Sequence, residues 1–230
     1  RNLQEIADGS TLAPGNHTCD AIDLTGTLSL DPSCIAAPEW TFSISRAFTT
    51  AADFKVMLVP SDPEVCPAIL QSSVRWVIAH GGAVAIGARS HALGNFEVDA
   101  AITVGASGTV DGNVEAGGAV TLGAEAKVNG TVTTGVAVAL GARSHVVGDI
   151  KADAAITIGA SGIVDGNIEA RGAVTLGAEA TAKGKITCGG AVALGASSQV
   201  VGDIKAGGAV TLGAGATSKG KVTADGAITL

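Results

Sequence analysis

The chain has 230 residues, of which 47% are hydrophobic and 3% aromatic, with 33 glycines and a formal net charge of -7. Its apolar residues occur singly or in short runs such as 74–79, far below the roughly 20 consecutive residues that span a bilayer. The acidic balance and the lack of a basic cluster argue against nucleic acid as a partner. Composition therefore favours stacked thin layers over a thick globular core, with no membrane and no nucleic acid among the partners.

The first part of the chain is irregular but rich in predicted strands. Alternating apolar residues predict short strands at 41–44, 54–59 and 75–79. We expect residues 1–80 to form irregular opening coils that residues 81–230 continue as a regular solenoid, the two parts making one domain.

Cysteines and glycosylation patterns bear on the compartment. Asn16 and Asn129 each begin an Asn-x-Thr acceptor pattern, which matters only in a secreted protein. In that case one disulfide among the three early cysteines is expected, and Cys34 with Cys66 is favoured because both lie in loop-like, proline-containing segments. Scattered free thiols are the alternative. No signal peptide is visible, so either it was removed or the chain is a piece of something longer.

From residue 81 onward the sequence repeats every 18 residues without insertion or deletion, which is the signature of a solenoid. Within each copy, apolar or small residues stand two apart, and such pairs recur every six residues. One copy shows the pattern in three pairs: Val120 and Leu122, Ala126 and Val128, Val132 and Thr134. Alternation by two predicts a strand with one buried face. Three strands per copy therefore predict an all-β fold, a parallel β-helix with triangular 18-residue coils.

Glycines at fixed slots indicate the corners of these coils. Gly123 and Gly130 hold slots that are glycine in all eight full copies. A chain that turns sharply between short strands needs left-handed or otherwise crowded backbone, which glycine enters most cheaply.

The outward residues of one strand per copy are uniformly small. If Val120 and Leu122 point inward, Ala119 and Thr121 point outward, and the same slots carry no charge in any copy. We call this set the Ala/Thr strip: Ala83, Ala85, Ala101, Thr103, Ala119, Thr121, Ala137, Ala139, Ala155, Thr157, Ala173, Thr175, Ala191, Ala193, Ala209, Thr211, Ala227 and Thr229. Nine strands about 4.8 Å apart make it a flat surface about 38 Å long.

The other two sides of the predicted coil carry charge. The second side carries Arg89, His91, Glu125, Lys127, Arg143, His145 and Glu179, and the third carries Glu97, Asn113, Glu115, Asp149, Lys151, Lys185 and Lys205. A contiguous uncharged surface usually marks an interaction site. Rigid methyls and hydroxyls can hold surface water in a lattice-like arrangement, which ice binding requires. The alternatives are that Ala-x-Thr is what a cramped strand tolerates, or that another element or chain covers the strip.

Motifs before the repeats resemble those of a known family. Their order is similar to that of the microbial ice-binding proteins of diatoms, fungi and bacteria, over about residues 3 to 130. The matching segments are Leu12–His17, Leu24–Leu30, Trp40–Ile44, Thr49–Thr50, Val56–Val59, Val74–Ile78 and Gly81–Gly87. The resemblance implies a discontinuous right-handed β-helix that binds ice. It also implies that residue 1 follows the family's long helix. The family's ice face has no fixed motif, so the face is assigned here by charge.

The repeats alone are also similar to those of the bactofilins, as in Val147–Ala152. That resemblance implies filaments formed through the solenoid ends. Because the sequence stops in mid-coil at Leu230, end-to-end self-association or continuation of the solenoid is expected.

Coils of this size also occur in left-handed acyltransferases, which use a histidine base. Here His91 and His145 occupy one slot three coils apart, and we expect them to lie on the surface with no acidic partner, which argues against catalysis. The carboxylates at Asp111, Asp149, Asp165 and Asp203 occupy corner or outward slots and lack the calcium-binding Gly-Gly-x-Gly-x-Asp pattern. No enzyme activity, cofactor or metal is expected.

Together these features predict a secreted, non-enzymatic protein whose partner is an ice crystal surface. The alternative is a structural filament or cell-surface fibre module built from the same coils.

Overall fold

The computed structural model describes residues 9–32, 37–59 and 73–230. Their 33 strands form three parallel sheets of 11 strands each. Successive strands enter the three sheets in rotation from β1 to β33. The chain therefore winds as a β-solenoid, which confirms the predicted fold class. Within the described residues no helix is long and apolar enough to cross a bilayer.

Sheet 1 begins with β1 and takes every third strand. Its strands are β1 Thr11–Leu12, β4 Thr27–Leu30, β7 Lys55–Leu58, β10 His91–Leu93, β13 Thr109–Asp111, β16 Lys127–Val128, β19 His145–Val146, β22 Ile163–Val164, β25 Thr181–Ala182, β28 Gln199–Val200 and β31 Thr217–Ser218.

Sheet 2 begins with β2 and contains the two longest strands. Its strands are β2 Gly15–Cys19, β5 Glu39–Ile44, β8 Ser73–Ile78, β11 Asn95–Val98, β14 Val114–Ala116, β17 Val132–Thr134, β20 Ile150–Ala152, β23 Ile168–Ala170, β26 Ile186–Cys188, β29 Ile204–Ala206 and β32 Val222–Ala224.

Sheet 3 begins with β3 and contains the strands of the Ala/Thr strip. Its strands are β3 Ile22–Leu24, β6 Phe48–Thr50, β9 Val84–Ile86, β12 Ile102–Val104, β15 Val120–Leu122, β18 Val138–Leu140, β21 Ile156–Ile158, β24 Val174–Leu176, β27 Val192–Leu194, β30 Val210–Leu212 and β33 Ile228–Thr229.

The interior of each regular coil is formed by the predicted inward residues. In one coil the pairs Val120 and Leu122, Ala126 and Val128, and Val132 and Thr134 are all buried. In the opening coils the same inner row of sheet 2 is aromatic, and Phe42, Trp76 and Phe96 stack with ring centroids 4.1 Å and 5.9 Å apart. Large rings therefore fill the opening coils, and small aliphatic side chains fill the rest.

Crowding between coils accounts for the glycine slots. A Cβ added to Gly130 would lie 2.3 Å from the carbonyl oxygen of Gly112, and one added to Gly123 would lie 2.7 Å from the amide nitrogen of Ala106. Neither residue has a positive φ; the left-handed position lies elsewhere in the coil and is glycine only at Gly215. It is occupied in the other regular coils by Arg89, Ser107, Glu125, Arg143, Ser161, Glu179 and Ser197. Close approach of backbone therefore applies at both slots, and the slot of Gly130 also has a positive φ in the two preceding coils, at Gly94 with φ of 116° and Gly112 with φ of 156°.

Candidate functional site

The outer face of sheet 3 carries the whole Ala/Thr strip. Its strand-central residues are all exposed: Ala85, Thr103, Thr121, Ala139, Thr157, Thr175, Ala193, Thr211 and Thr229. The alanines that precede them by two residues are exposed or half-buried. Parallel pairing aligns these residues directly, as Thr103 with Thr121 and Thr157 with Thr175. The strip is therefore a continuous ladder of small side chains along the solenoid axis.

The threonine hydroxyls of the strip are available to solvent. Within the described part of the chain, no hydrogen bond joins the hydroxyls of Thr103, Thr121, Thr157 or Thr175 to another protein group. By contrast, the Thr49 hydroxyl donates to Asp23 Oδ1 at 3.1 Å. Water is therefore the partner that the strip hydroxyls can take.

The sheet extends the strip toward the start of the chain by one residue that sequence reasoning missed. Thr49 lies on β6 and pairs with Ala85, although 36 residues separate them. The next strand, β3, presents Asp23, whose carboxylate ends the uncharged surface. The segment Phe48-Thr49-Thr50 could have indicated this place, because it has the same alternation as the later strands.

A three-coil pattern is imposed on the strip. Along the axis its strand-central residues read Ala, Thr, Thr three times over, from Ala85 to Thr229. One corner beside the strip carries two ion pairs with contacts of 2.5–3.0 Å: Arg89 donates to both carboxylate oxygens of Asp53, and Arg143 donates through two nitrogens to Oε1 of Glu125. Charge therefore borders the strip without entering it.

Sheet 1 corrects one expectation about the histidines. His91 Nε2 lies 2.5 Å from Asp111 Oδ2, and His145 Nε2 lies 3.0 Å from Asp165 Oδ2. The prediction that these histidines lack an acidic partner is therefore wrong. Each partner stands 20 residues later, one coil on and two residues along the strand, so a count in steps of 18 alone does not reveal it.

These His–Asp pairs bridge neighbouring coils. Burial opposes ionisation of Asp111, but hydrogen bonds from Asn129 and His91 hold its pKa below the usual range. Lys183 Nζ lies 2.8 Å from Asp165 Oδ1, and hydrogen bonds from Lys183 and then from His145 hold the pKa of Asp165 below its usual range. Among the described residues no group of three or more His, Cys, Asp or Glu side chains is placed to hold a metal ion.

The outer face of sheet 2 carries separate ion pairs along its length. Arg75 contacts Glu97 at 2.5 Å, Lys151 lies 3.7 Å from Glu169, and at the adjoining corner Arg171 lies 3.2 Å from Asp153. These distances join neighbouring coils, and the side chains are largely exposed. Sheet 2 therefore has a charged outer surface, unlike sheet 3.

The proposed glycosylation and disulfide residues lie away from the strip. Asn16 is exposed on β2. Asn129 is exposed at the corner after β16, where its side-chain amide donates to Asp111. Cys34 and Cys66, the favoured disulfide, lie outside the described residues.

Two cysteines within the described residues are buried free thiols, Cys19 and Cys188. Burial raises the pKa of both. Neither thiol is therefore set up for nucleophilic chemistry, which needs a lowered pKa and access to solvent.

Comparison with family models gives two matches that divide the chain. Residues 1–129 match a model described as "Ice-binding-like", and residues 137–223 match one described as "Polymer-forming cytoskeletal", the bactofilin model. Separate comparisons with curated proteins and with solved structures gave no match. Strands of the Ala/Thr strip occur within both matched segments.

Proposed function

The chain belongs to the ice-binding-like family, and we propose that it adsorbs to ice through the Ala/Thr strip on the outer face of sheet 3. The observation that carries this proposal is the contrast between the three outer faces. Sheets 1 and 2 are bordered by ion pairs such as Lys183 with Asp165 and Arg75 with Glu97, whereas sheet 3 presents exposed or half-buried alanine and threonine without a charge from Thr49 to Thr229.

Physical chemistry supports the choice of this face. Ice offers a rigid array of water molecules, so a protein that adsorbs to it gains most from an equally rigid array of small groups. Alanine has no rotamer entropy to lose, and threonine is stiff about its first side-chain torsion. Hydroxyls without protein partners can enter the water lattice, and methyls exclude disordered water between them. Adsorption would stop crystal growth where the protein sits.

Charge introduced on the strip tests the proposal. We expect the triple variant Thr121→Lys, Thr157→Lys and Thr175→Lys to lose thermal hysteresis and ice shaping. Lysine ammonium groups hold their own hydration shells and project above the flat surface, so they keep it from contacting ice. Because all three positions are exposed on the outer face, the circular dichroism spectrum should not change.

A matched control uses three threonines on another face. Thr109, Thr181 and Thr217 point outward from sheet 1, so replacing them with lysine adds the same charge at equivalent strand positions. This variant should keep its thermal hysteresis. If the sheet 3 variant stays active, or both variants lose activity equally, the strip is not the ice face.

A second candidate function is the formation of filaments. It is favoured by the match of residues 137–223 to the polymer-forming cytoskeletal model, and by a solenoid whose coils can stack end to end. Electron microscopy at modest protein concentration would then show long regular fibres, and the ice assay would be blank.

Both matched families consist of non-enzymatic binding or structural proteins, and we propose no catalytic role. We further propose that the protein acts outside the cell, where ice forms and where the Asn16 and Asn129 acceptors could be glycosylated.

A further inference from the structure

The outer face of sheet 2 has a charge order that is complementary to itself. From β11 to β32 its strand-central residues are Glu97, Glu115, Thr133, Lys151, Glu169, Thr187, Lys205 and Thr223. We infer that two copies of this chain pack side by side through sheet 2, with their solenoid axes antiparallel, about a two-fold axis that passes between β20 and β23.

The two-fold axis places opposite charges face to face. An axis along the strand direction sets each strand against the strand equally far on the other side of the centre. Glu115 then meets Lys205 of the partner subunit, and Lys151 meets Glu169 of the partner subunit. Thr133 meets the partner's Thr187. Because the interface is isologous, each of these contacts occurs twice.

The corner between sheets 2 and 3 follows the same order. Its residues in successive coils are Asp99, Gly117, Gly135, Asp153, Arg171, Gly189, Gly207 and Asp225. Under the same axis Asp153 meets the partner's Arg171, and glycines meet glycines. The absence of side chains at Gly117 and Gly135 leaves a groove along this corner, which also borders Glu115 and Lys151. The outermost pair, Asp99 with the partner's Asp225, has like charges and lies at the exposed ends.

Pairing within one copy leaves Glu115 and Lys205 open, whereas Lys151 pairs with Glu169 and Arg171 with Asp153 in the same copy. Glu97 is already paired with Arg75 at 2.5 Å, so it needs no partner across the interface. In the described part of the chain neither Glu115 nor Lys205 has an ion pair, and both are exposed. Lys151 and Glu169 are 3.7 Å apart within one copy and can exchange partners across the axis.

The parallel arrangement of two copies through sheet 2 fails on charge. If the axes ran parallel, with the two-fold along the solenoid, Glu115 would face the partner's Glu115 and Lys205 the partner's Lys205. Sheet 3 cannot pair in this way because its outer face carries no charge from β6 to β33, and this face stays open in the antiparallel pair. The inference is therefore independent of ice binding and differs from end-to-end assembly.

The size of the face sets the strength of the contact. Eight strands about 4.8 Å apart and five residues about 3.3 Å apart give roughly 440 to 630 Å² per copy, depending on whether the spans run between atom centres or include the outer widths. The total of roughly 900 to 1,300 Å² lies at the lower limit for specific interfaces. Its charged pairs lie near solvent and are screened by salt, since the Debye length falls from about 10 Å at 0.1 M to about 3 Å at 1 M. We expect a weak dimer that salt dissociates.

Light scattering coupled to gel filtration tests the inference. At about 0.1 M salt the protein should have close to twice the 22.3 kDa mass of the chain, and at about 1 M salt the mass of one chain. Glu115→Lys alone and Lys205→Glu alone should each be monomeric at the lower salt concentration. The double variant restores the opposite charges in exchanged positions and should again be a dimer.

A control variant separates this contact from a general effect of charge. Lys127→Glu changes the net charge as Lys205→Glu does but lies on the outer face of sheet 1, and it should remain a dimer. A wild-type protein that is monomeric at low salt, a double variant that stays monomeric, or assembly that none of these changes affects would overturn the inference. None of the three positions lies on sheet 3, so thermal hysteresis measured on the same variants reports on ice binding separately.

Discussion

In all but one of the regular coils the left-handed residue is not glycine, although glycine would fit there. Ser197 has φ of 57°, and Gly215 occupies the same slot in the following coil with φ of 69°. A non-glycine residue in this conformation is strained by roughly 1–2 kcal/mol because its Cβ approaches the carbonyl oxygen. In several coils the same residue forms a contact between coils, such as Glu125 with Arg143. Part of the strain is therefore offset by an ion pair at those positions.

Substitutions at the left-handed slot and at an invariant glycine slot distinguish backbone strain from steric crowding between coils. Ser197→Gly should raise the free energy of unfolding by up to about 1 kcal/mol, since relief of strain exceeds the added chain entropy. Gly130→Ala should lower it by about 1–3 kcal/mol, because the new methyl meets backbone 2.3 Å away. Urea denaturation of both variants measures this. Equal effects of the same sign would contradict the assignment.

Of these two kinds of slot, only the invariant glycine slots could be predicted from the sequence, and the left-handed slot could not. Gly123 and Gly130 are marked because only glycine fits under the neighbouring coil. The left-handed slot holds Arg, Ser, Glu and Gly in turn, so no residue type indicates it. The His91–Asp111 contact was missed for a similar reason, since side chains that meet across coils are offset along the strand.

Aromatic stacking sets the opening coils apart from the regular ones. Trp76 is fully buried between Phe42 and Phe96, and its indole N–H donates to the Leu93 carbonyl at 2.9 Å. In the later coils the same inner row holds valine or isoleucine, such as Val132. This inner row therefore buries larger apolar side chains in the opening coils than in the regular ones.

Truncation in this inner row should cost more in the opening coils than in the regular ones. Trp76→Ala should lower the free energy of unfolding by about 3–5 kcal/mol. Val132→Ala removes two methyl groups from the same row and should cost about 2 kcal/mol. Thermal or urea denaturation compares them. Equal losses would show that the aromatic column contributes no more than aliphatic packing.

Strand positions were more predictable than coil lengths. The predicted strands at 41–44, 54–59 and 75–79 lie within two residues of β5, β7 and β8. However, the opening coils carry insertions, and Thr49 pairs with a residue 36 positions later. Alternation is local, so it can be recognised in a short segment. Because the length of an insertion does not affect the alternation, the alternation does not show which distant residues pair across the insertion. Thr49 was missed on the strip for this reason.

At the scale of the molecule, three coils form the repeating unit. Residues 135–188 repeat the pattern of residues 81–134, including the Arg, His and Asp positions of the paired contacts. Strand pairing at an offset of 18 continues on both sides of the boundary, as in Thr121 with Ala139. The triangular solenoid was predictable because the period recurs so strictly, but the contacts that join one coil to the next were not.

Removal of one three-coil unit should therefore leave a folded protein. Deletion of residues 135–188 joins equivalent corner positions and shortens sheet 3 by three strands, or about 14 Å. We expect cooperative unfolding and weaker but measurable thermal hysteresis, because a shorter strip adsorbs less firmly. Deletion of residues 153–161 removes half a coil and should prevent folding, because buried residues would face solvent. A folded protein after the second deletion would contradict the strict register.

The direction of the backbone hydrogen bonds gives the solenoid unequal mechanical strength. Amides of one coil donate to carbonyls of its neighbour, as from Val120 to Ala137, so these bonds run along the long axis. Tension applied to the two ends of that axis would load one coil boundary after another and peel the chain apart coil by coil. A shear force spread over the flat side of sheet 3 would instead be shared among many boundaries at once. If sheet 3 is the ice face as proposed, a growing crystal that shears along it would therefore load the molecule in its stiffer direction.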